Sequence, residues 1–433
     1  MGTMPKGLQK VHPSFTARQL THYGGLYLLY YFFNRFHLRR YLHRGLRFRW
    51  KHERYSPVDQ LLLVLTSIII GLERLAYTRL LHEESYVQYT LGLKQYPKPS
   101  TIRRFLQCWR SQEFDALVSL HDQLRQAFFK PARTMIINLD TTVLPVYGQL
   151  EGTAVGYNPT KRGRPSYQAV LGTEAITGTT FHSELRSGKR LSAEEAITFL
   201  TQCFHRIPAS VEEIRLRADA GFYSSKLIEF LEDRAISYAI VARVTRPIRE
   251  KLSGLRYHRV NPQWQTGAFY YQPHQWSKKY RFVVVRRRLH QQQDDQLALF
   301  PVDRYAYRIL VTNLDLQPYN VWCFYKKRAS IEQIIEQLKN DFSLTKIPTR
   351  LFLANRTYAE LILLAYDLLN WFRRHCLPIE LHQAKLTTLR HLLFSEPAEF
   401  VRRGNKNILK FRRNSQLQNY VPAIERRIRS LSA

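Results

Sequence analysis

Residues 325–339 read YKKRASIEQIIEQLK and place Tyr325, Arg328, Glu332 and Lys339 beside a set of apolar positions. On an α-helix, which turns about 100° per residue, Ile334, Ile335, Leu338 and Phe342 fall within roughly 60° of Ile331. Arg328, Lys339, Glu332 and Tyr325 then fall at roughly 60°, 80°, 100° and 120°. One helix over 325–339 would hold a carboxylate at the border of its buried face, flanked by two cations and a phenol. Alone, such a strip reads as a solvated face of Arg–Glu and Glu–Lys pairs. Two further carboxylates change that. TMIINLD (134–140) is a short apolar run ending at Asp140, and EIRLRADAGF (213–222) alternates Ile214, Leu216 and Ala218 with Arg215 and Arg217 before Asp219. Both read as strands with an aspartate at the C-terminal end. An aspartate after a strand is commonly a turn or cap residue. Three carboxylates gathered at one sheet edge, however, repel one another unless cations bind. An all-oxygen set suits Mg²⁺ or Mn²⁺. Two such ions about 3.5–4 Å apart serve phosphoryl transfer by activating the attacking oxygen and stabilising the leaving one.

The composition fits a polyanionic partner. Lys and Arg total 66 against 34 acidic residues, a net charge of +32, which is too large an excess to serve solubility alone. Nucleic acid is the first reading of that partner and an anionic membrane surface the second. The 26 Tyr and 24 Phe favour nucleic acid, because rings interleaved with cations stack on bases. LLLVLTSIIIGL (61–72) is too short to span a bilayer and LILLAYDLLNWF (361–372) is interrupted by Asp367, so both read as buried helices and no membrane span is expected. Cys108, Cys203, Cys323 and Cys376 form no C-x-x-C pair, which fits a reducing, cytoplasmic setting without zinc. No signal peptide is visible at the start, MGTMPKGLQK.

These groups need elements to position them. Residues 1–130 read as a helical, DNA-binding N-terminal region, in which the cation-rich stretch 35–54 is either a surface helix or a nucleic-acid-binding element, and YPKPSTIRRFLQCW (96–109) holds a basic helix with Ser100 as N-cap that resembles a DNA-recognition helix, as any capped basic helix does. Residues 131–345 read as a catalytic core. Its order is three strands, a helix with a Ser192/Glu195 capping box, a strand, a helix and a strand, which implies a mixed α/β sheet. A β-rich insertion, 245–305, contains the low-complexity piece RRRLHQQQDDQ (286–296) and interrupts the core before the strand YRILVTNL (307–314). Residues 346–433 read as a helical, basic C-terminal region. The basic loop YNPTKRGRPSY (157–167) supplies Lys161, Arg162 and Arg164 as contacts to a nucleic-acid backbone.

In this pattern the chain resembles DDE transposases of bacterial insertion sequences, and more narrowly the insertion-sequence-four superfamily. The superfamily signature Y-x2-R-x3-E-x6-K is present as Tyr325, Arg328, Glu332 and Lys339, and NLDTTVLPVYG and RADAGFYSS are similar to the family segments around the first and second aspartates. The resemblance covers about 135–345. It implies an RNase H-like core in which Asp140, Asp219 and Glu332 are catalytic and hold two Mg²⁺ or Mn²⁺ ions, while Tyr325, Arg328 and Lys339 hold the DNA end. It implies double-stranded DNA as partner, with cleavage at transposon terminal inverted repeats, strand transfer into target DNA, a homodimer on DNA and a place at the bacterial nucleoid. Relatives that release the element through a hairpin hold a flipped base on an aromatic residue, for which Trp264 and Trp276 are the residues available in the insertion. Three other readings stay open: a catalytically silent, transposase-derived DNA-binding protein, an RNase H-like nuclease without strand transfer, and a basic protein of membrane surfaces or RNA.

Overall fold

A computed structural model describes residues 19–46, 48, 54–156, 158, 161–289 and 305–431. Parts of the stretches 35–54, 157–167 and 286–296 singled out above lie outside the described residues. The chain forms two compact units, one of residues 1–41, 51–102 and 372–433 and one of 42–50 and 103–371.

The first unit is mostly helical. Its helix Pro57–Ile69 is buried along nearly its whole length, and Ser56 caps it while exchanging hydrogen bonds with Asp59. That capping box satisfies donors which the first helical turn leaves open. The unit also holds a three-stranded sheet, Leu20–Thr21 with the hairpin Ala398–Arg403 and Lys406–Phe411, which the sequence pattern did not suggest. The helix in 96–109 runs Pro99–Gln107, so Pro99 opens it and Ser100 sits in its first turn instead of capping it. Proline is suited to that first position, where its missing N–H costs nothing.

The second unit contains the core, and its elements are labelled here in chain order. They are α1 (Ser111–Phe128), β1 (Thr134–Pro145), β2 (Pro165–Glu174), β3 (Thr180–Ser187), α2 (Ala193–His205), β4 (Glu213–Ala218), α3 (Ser225–Glu232), β5 (Ser237–Val241), β6 (Trp264–Tyr271), β7 (Tyr280–Arg288), β8 (Tyr305–Thr312), α4 (Pro318–Lys326), α5 (Ala329–Asn340) and α6 (Phe352–Cys376). β1, β2 and β3 form an antiparallel meander, and β4 and β5 add to β1 in parallel. The resulting order, β3-β2-β1-β4-β5, is that of an RNase H-like core. The β-rich insertion does not stand apart, because β6 and β7 continue the same sheet through β8, which pairs with β5. The capping box at α2 is present, with Glu195 N donating to Ser192 Oγ at 3.2 Å. One face of the sheet packs Ile137, Leu139, Leu216, Ala218 and Ile240, all fully buried, against α2 and α3 residues such as Phe199, Leu200 and Leu231. Burial on this scale, about 1.5–3 kcal/mol for each large side chain, fixes the strand register from beneath.

Candidate active site

Strand alternation sends Ile137 and Leu139 into that core and Asn138 and Asp140 to the opposite face. There Asn138 Nδ2 donates to Ser330 Oγ at 3.0 Å, tying β1 to α5. Asp140 does not end its strand as the sequence suggested, since β1 runs on to Pro145 in pairing with β2. What ends beside Asp140 is the parallel ladder to β4, whose last pair is Leu139 with Ala218. Asp219 is the next residue after Ala218, so the two aspartates follow that pair on adjacent parallel strands. Asp219 then caps a short turn, Ala220–Phe222, with its Oδ1 accepting from Gly221 N at 2.9 Å. Gly221 leaves room for this, because a Cβ there would lie 2.9 Å from the same oxygen.

Residues 325–339 are two helices. α4 ends at Lys326 and α5 begins at Ala329, with Lys327 and Arg328 between them. Neither glycine nor proline marks the break, and tight turns carry it, Arg328 N donating to Tyr325 O and Ile331 N to Arg328 O. Tyr325 therefore rides on a different helix from Glu332, and its place on a common helical wheel does not hold. The apolar stripe does hold: Ile331, Ile334, Ile335, Leu338 and Phe342 are buried.

The break places Arg328 at the centre of the site. Its Nη1 donates to Asp140 Oδ2 at 2.8 Å and its Nη2 to Glu332 Oε1 at 2.5 Å. The Asp140–Arg328 pair is buried, with side-chain exposures of 11% each, whereas Glu332 is 59% exposed. Burial pushes the Asp140 carboxyl above its ordinary value, the neighbouring Asp219 adds to that, and Arg328 opposes it. Burial works against the Arg328 charge, but Asp140 and Tyr325 hold it in place. The Arg328 guanidinium lies 6.0 Å from the Tyr325 ring. Lys339 is half-buried, and its pKa is lowered by burial against the opposing pull of Asp140.

Two residues that the sequence reading did not select line the same face. Arg217, opposite Asn138 in the ladder, is 3% exposed and stacks over Phe324 at 4.2 Å. Burial lowers its pKa to about 10. Arg217 Nε and Asn138 Oδ1 are buried without hydrogen-bond partners. The available signal was a polar residue two positions before each aspartate, on the aspartate's own face.

The basic loop has structure of its own. Tyr147, exposed beyond the end of β1, accepts a hydrogen bond from Lys161 Nζ at 2.6 Å, and the Arg164 guanidinium lies 4.4 Å from its ring. Lys161 lowers the Tyr147 pKa. Gly163 takes φ +73, a turn that a side chain would strain. Arg162 is exposed. Trp276 is packed between Tyr223 and Tyr280, each 5.1 Å away. Trp264 faces Trp322 at 6.0 Å, and Trp322 stacks on Tyr325 at 6.0 Å.

A fit to divalent ions can be tested on these groups. Among the described residues no three His, Cys, Asp or Glu side chains stand together as a formed metal cluster. The chemistry of the donor set nonetheless fits: it is all oxygen, two carboxylates follow one another across adjacent strands, and the third is separated from Asp140 by the width of one guanidinium. The cation balancing Asp140 and Glu332 is Arg328 itself.

The sheet order is that of an RNase H-like fold. The chain belongs to the family described as Transposase DDE domain group 1, which matches residues 4–433. Among solved structures, it is similar to the piggyBac transposase synaptic complex with hairpin DNA, at 11% identity over 94% of this chain and 81% of that one, with a TM-score of 0.47. It is also similar to the Mos1 transposase paired-end complex with the left transposon end, at 10% identity over 44% and 60% of the two chains, with a TM-score of 0.19. A Mos1 mariner paired-end complex with Mn matches at 10% identity over 48% and 65%, with a TM-score of 0.19. No curated protein matches. Among the described residues no helix is long and apolar enough to cross a membrane.

Proposed function

We propose that the chain is a transposase of the insertion-sequence-four type, which cuts DNA at the terminal inverted repeats of its element and joins the freed ends to target DNA. The observation that carries this reading is the placement of Asp140 and Asp219 side by side past the last pair of a parallel ladder, with Glu332 joined to Asp140 through Arg328. Asp140, Asp219 and Glu332 are the residues that would hold Mg²⁺ or Mn²⁺, two ions per site, which when bound supply charge stabilisation to the attacking and leaving oxygens. The rest of the work belongs to the chain. Water attacks the phosphodiester at the element's end and the P–O bond to the 3′ oxygen breaks, leaving a 3′-OH and a 5′-phosphate. The freed 3′-OH then attacks a second phosphodiester in the other strand or in the target, losing its proton as it joins the phosphorus, while the P–O bond to that phosphodiester's own 3′ oxygen breaks and this oxygen leaves as a hydroxyl. Arg328, Lys339 and Tyr325 bind phosphate oxygens of the end, with the fork of Arg328 suited to a bidentate contact. Lys161, Arg162 and Arg164 bind backbone further along, with Tyr147 orienting two of them. Trp264 is better placed than the packed Trp276 to meet a base, because it faces Trp322 beside the site.

Pairing of two ends implies a homodimer on DNA, and the helical flanks at 1–130 and 346–433 supply the remaining DNA-binding surface at the nucleoid. The test is an assay of the purified chain on a duplex carrying the inverted repeats that flank its coding sequence, with Mg²⁺ titrated. Nicking at the repeat boundary followed by joining supports the reading. Cleavage without joining would leave a nuclease, and binding without cleavage a silent DNA-binding relative.

A further inference from the structure

The site already contains a cation. Arg328 spends one nitrogen on Asp140 Oδ2 and the other on Glu332 Oε1. Asp140 Oδ1 is engaged as well, accepting from Thr141 N at 2.8 Å. A carboxylate lone pair that accepts from a guanidinium is not free to ligate an ion, and the guanidinium charge repels a divalent ion at contact distance. Arg328 and a metal therefore compete for the same oxygens.

The local backbone gives Arg328 somewhere to go. It lies in the break between α4 and α5, between exposed Lys327 and exposed Ala329, outside the regular ladder of either helix. Its side chain is 11% exposed and borders Glu332, which at 59% exposure marks the open side of the site. A guanidinium also binds phosphate as well as it binds carboxylate, through the same planar fork.

We propose that Arg328 is a latch which couples metal loading to DNA binding. Without DNA it pairs with Asp140 and Glu332 and disfavours divalent ions there. A phosphate of the DNA end draws the guanidinium away and releases both carboxylates. The inference rests on the reading of Asp140, Asp219 and Glu332 as metal-holding residues. Linkage makes the effect reciprocal: DNA tightens metal binding by the same factor by which metal tightens DNA binding, about 5- to 150-fold for couplings of ordinary size.

The experiment is Mn²⁺ binding to the full chain, read by titration of free Mn²⁺ with electron paramagnetic resonance, with and without a repeat-bearing duplex. The wild-type protein is expected to bind Mn²⁺ weakly alone and about 5- to 150-fold more tightly with the duplex. Arg328→Gln is expected to bind Mn²⁺ tightly without DNA and to gain little from it. Arg328→Lys keeps the charge but loses the fork, and is expected to bind Mn²⁺ more tightly than wild type without DNA. It also serves as the readout if the glutamine variant does not fold. Equal wild-type affinity with and without duplex overturns the latch. So does an Arg328 variant that matches wild type in both conditions while Asp140→Asn and Asp219→Asn lose Mn²⁺. If those two asparagine variants bind Mn²⁺ like wild type, the metal reading itself fails, and the latch with it.

Discussion

Replacing His121 with Gln should cost the core unit about 3 kcal/mol near neutral pH and abolish one component of its pH dependence. His121 lies on α1, 2% exposed, with Nδ1 2.7 Å from Glu360 Oε1 and Nε2 3.0 Å from Asp367 Oδ2 on α6. Both ring nitrogens face carboxylates, so both carry protons and the ring is an imidazolium. Asp367 also accepts from Thr180 N and Oγ1 at the start of β3, and Glu360 from Ser183 Oγ, which makes the trio a clamp of α1, β3 and α6. Burial by itself would lower the His121 pKa, but the hydrogen bonds to Asp367 and Glu360 outweigh it and raise the value from 6.5 to about 9. Burial would raise the Glu360 carboxyl, but His121 outweighs it and brings it below its ordinary range.

A shift of that size is worth about 3 kcal/mol at about 1.4 kcal/mol per unit. It agrees in size with the penalty for removing one partner of a buried ion pair, about 3–5 kcal/mol. Because the folded value lies above the unfolded one, the stabilisation is fully present below pH 6.5 and is lost as the pH rises through about 9. Urea unfolding followed by tryptophan emission, across that range, provides the assay. Trp371, whose ring lies 6.2 Å from His121, reports on the clamp directly. Wild type should lose stability between pH 6.5 and 9, and His121→Gln should be the weaker protein chiefly at the acid end of that interval. If the two curves run parallel through the interval, His121 is not charged in the folded protein.

Glu332→Gln keeps the shape of the side chain but removes the charge an ion needs, so it should lose metal-dependent cleavage while gel-shift binding of the repeat duplex persists; cleavage at the wild-type rate would pass the role to Glu336, one turn along. Asp140→Asn and Asp219→Asn should each abolish nicking with DNA affinity retained, and an active Asp219 variant would remove the second strand from the site. Neutralising Lys161, Arg162 and Arg164 together should flatten the plot of log affinity against log salt by up to about three units of slope without changing which sequence is preferred, whereas an unchanged slope would make the loop a solvated turn. Tyr147→Ala should give a smaller loss of the same kind, since Lys161 and Arg164 lose the ring that orients them.

What the sequence revealed was local. The apolar stripe of α5, the capping box of α2 and the end of β4 before Asp219 each follow from residue types a few positions apart, and each is present. The break at Lys327–Arg328 escaped because no glycine or proline marks it and helical periodicity runs through it undisturbed. The hairpin 398–411 escaped because Arg and Lys fill much of its alternation, masking the apolar face that would declare a strand. Pairings across long chain distances escaped as well. Arg328 meets Asp140 across 188 positions and His121 meets Asp367 across 246, and only the packing of helices and sheet in the folded core brings them together. Asp367 had stood out only as a charge interrupting an apolar run. Its partners explain why that charge is tolerated at zero exposure.

The aspartate pair has its spacing set by a ladder and not by the chain between the two residues. Leu139 and Ala218, both fully buried, fix the alignment of β1 with β4 from the apolar side. The surface segment 146–153, between the end of β1 and a short strand at Ala154–Val155 that pairs with β2, lies outside that alignment. Lengthening such a loop costs only about 0.6 kcal/mol for each doubling. The distance between the two acids is therefore insensitive to the length of surface chain that separates them in sequence.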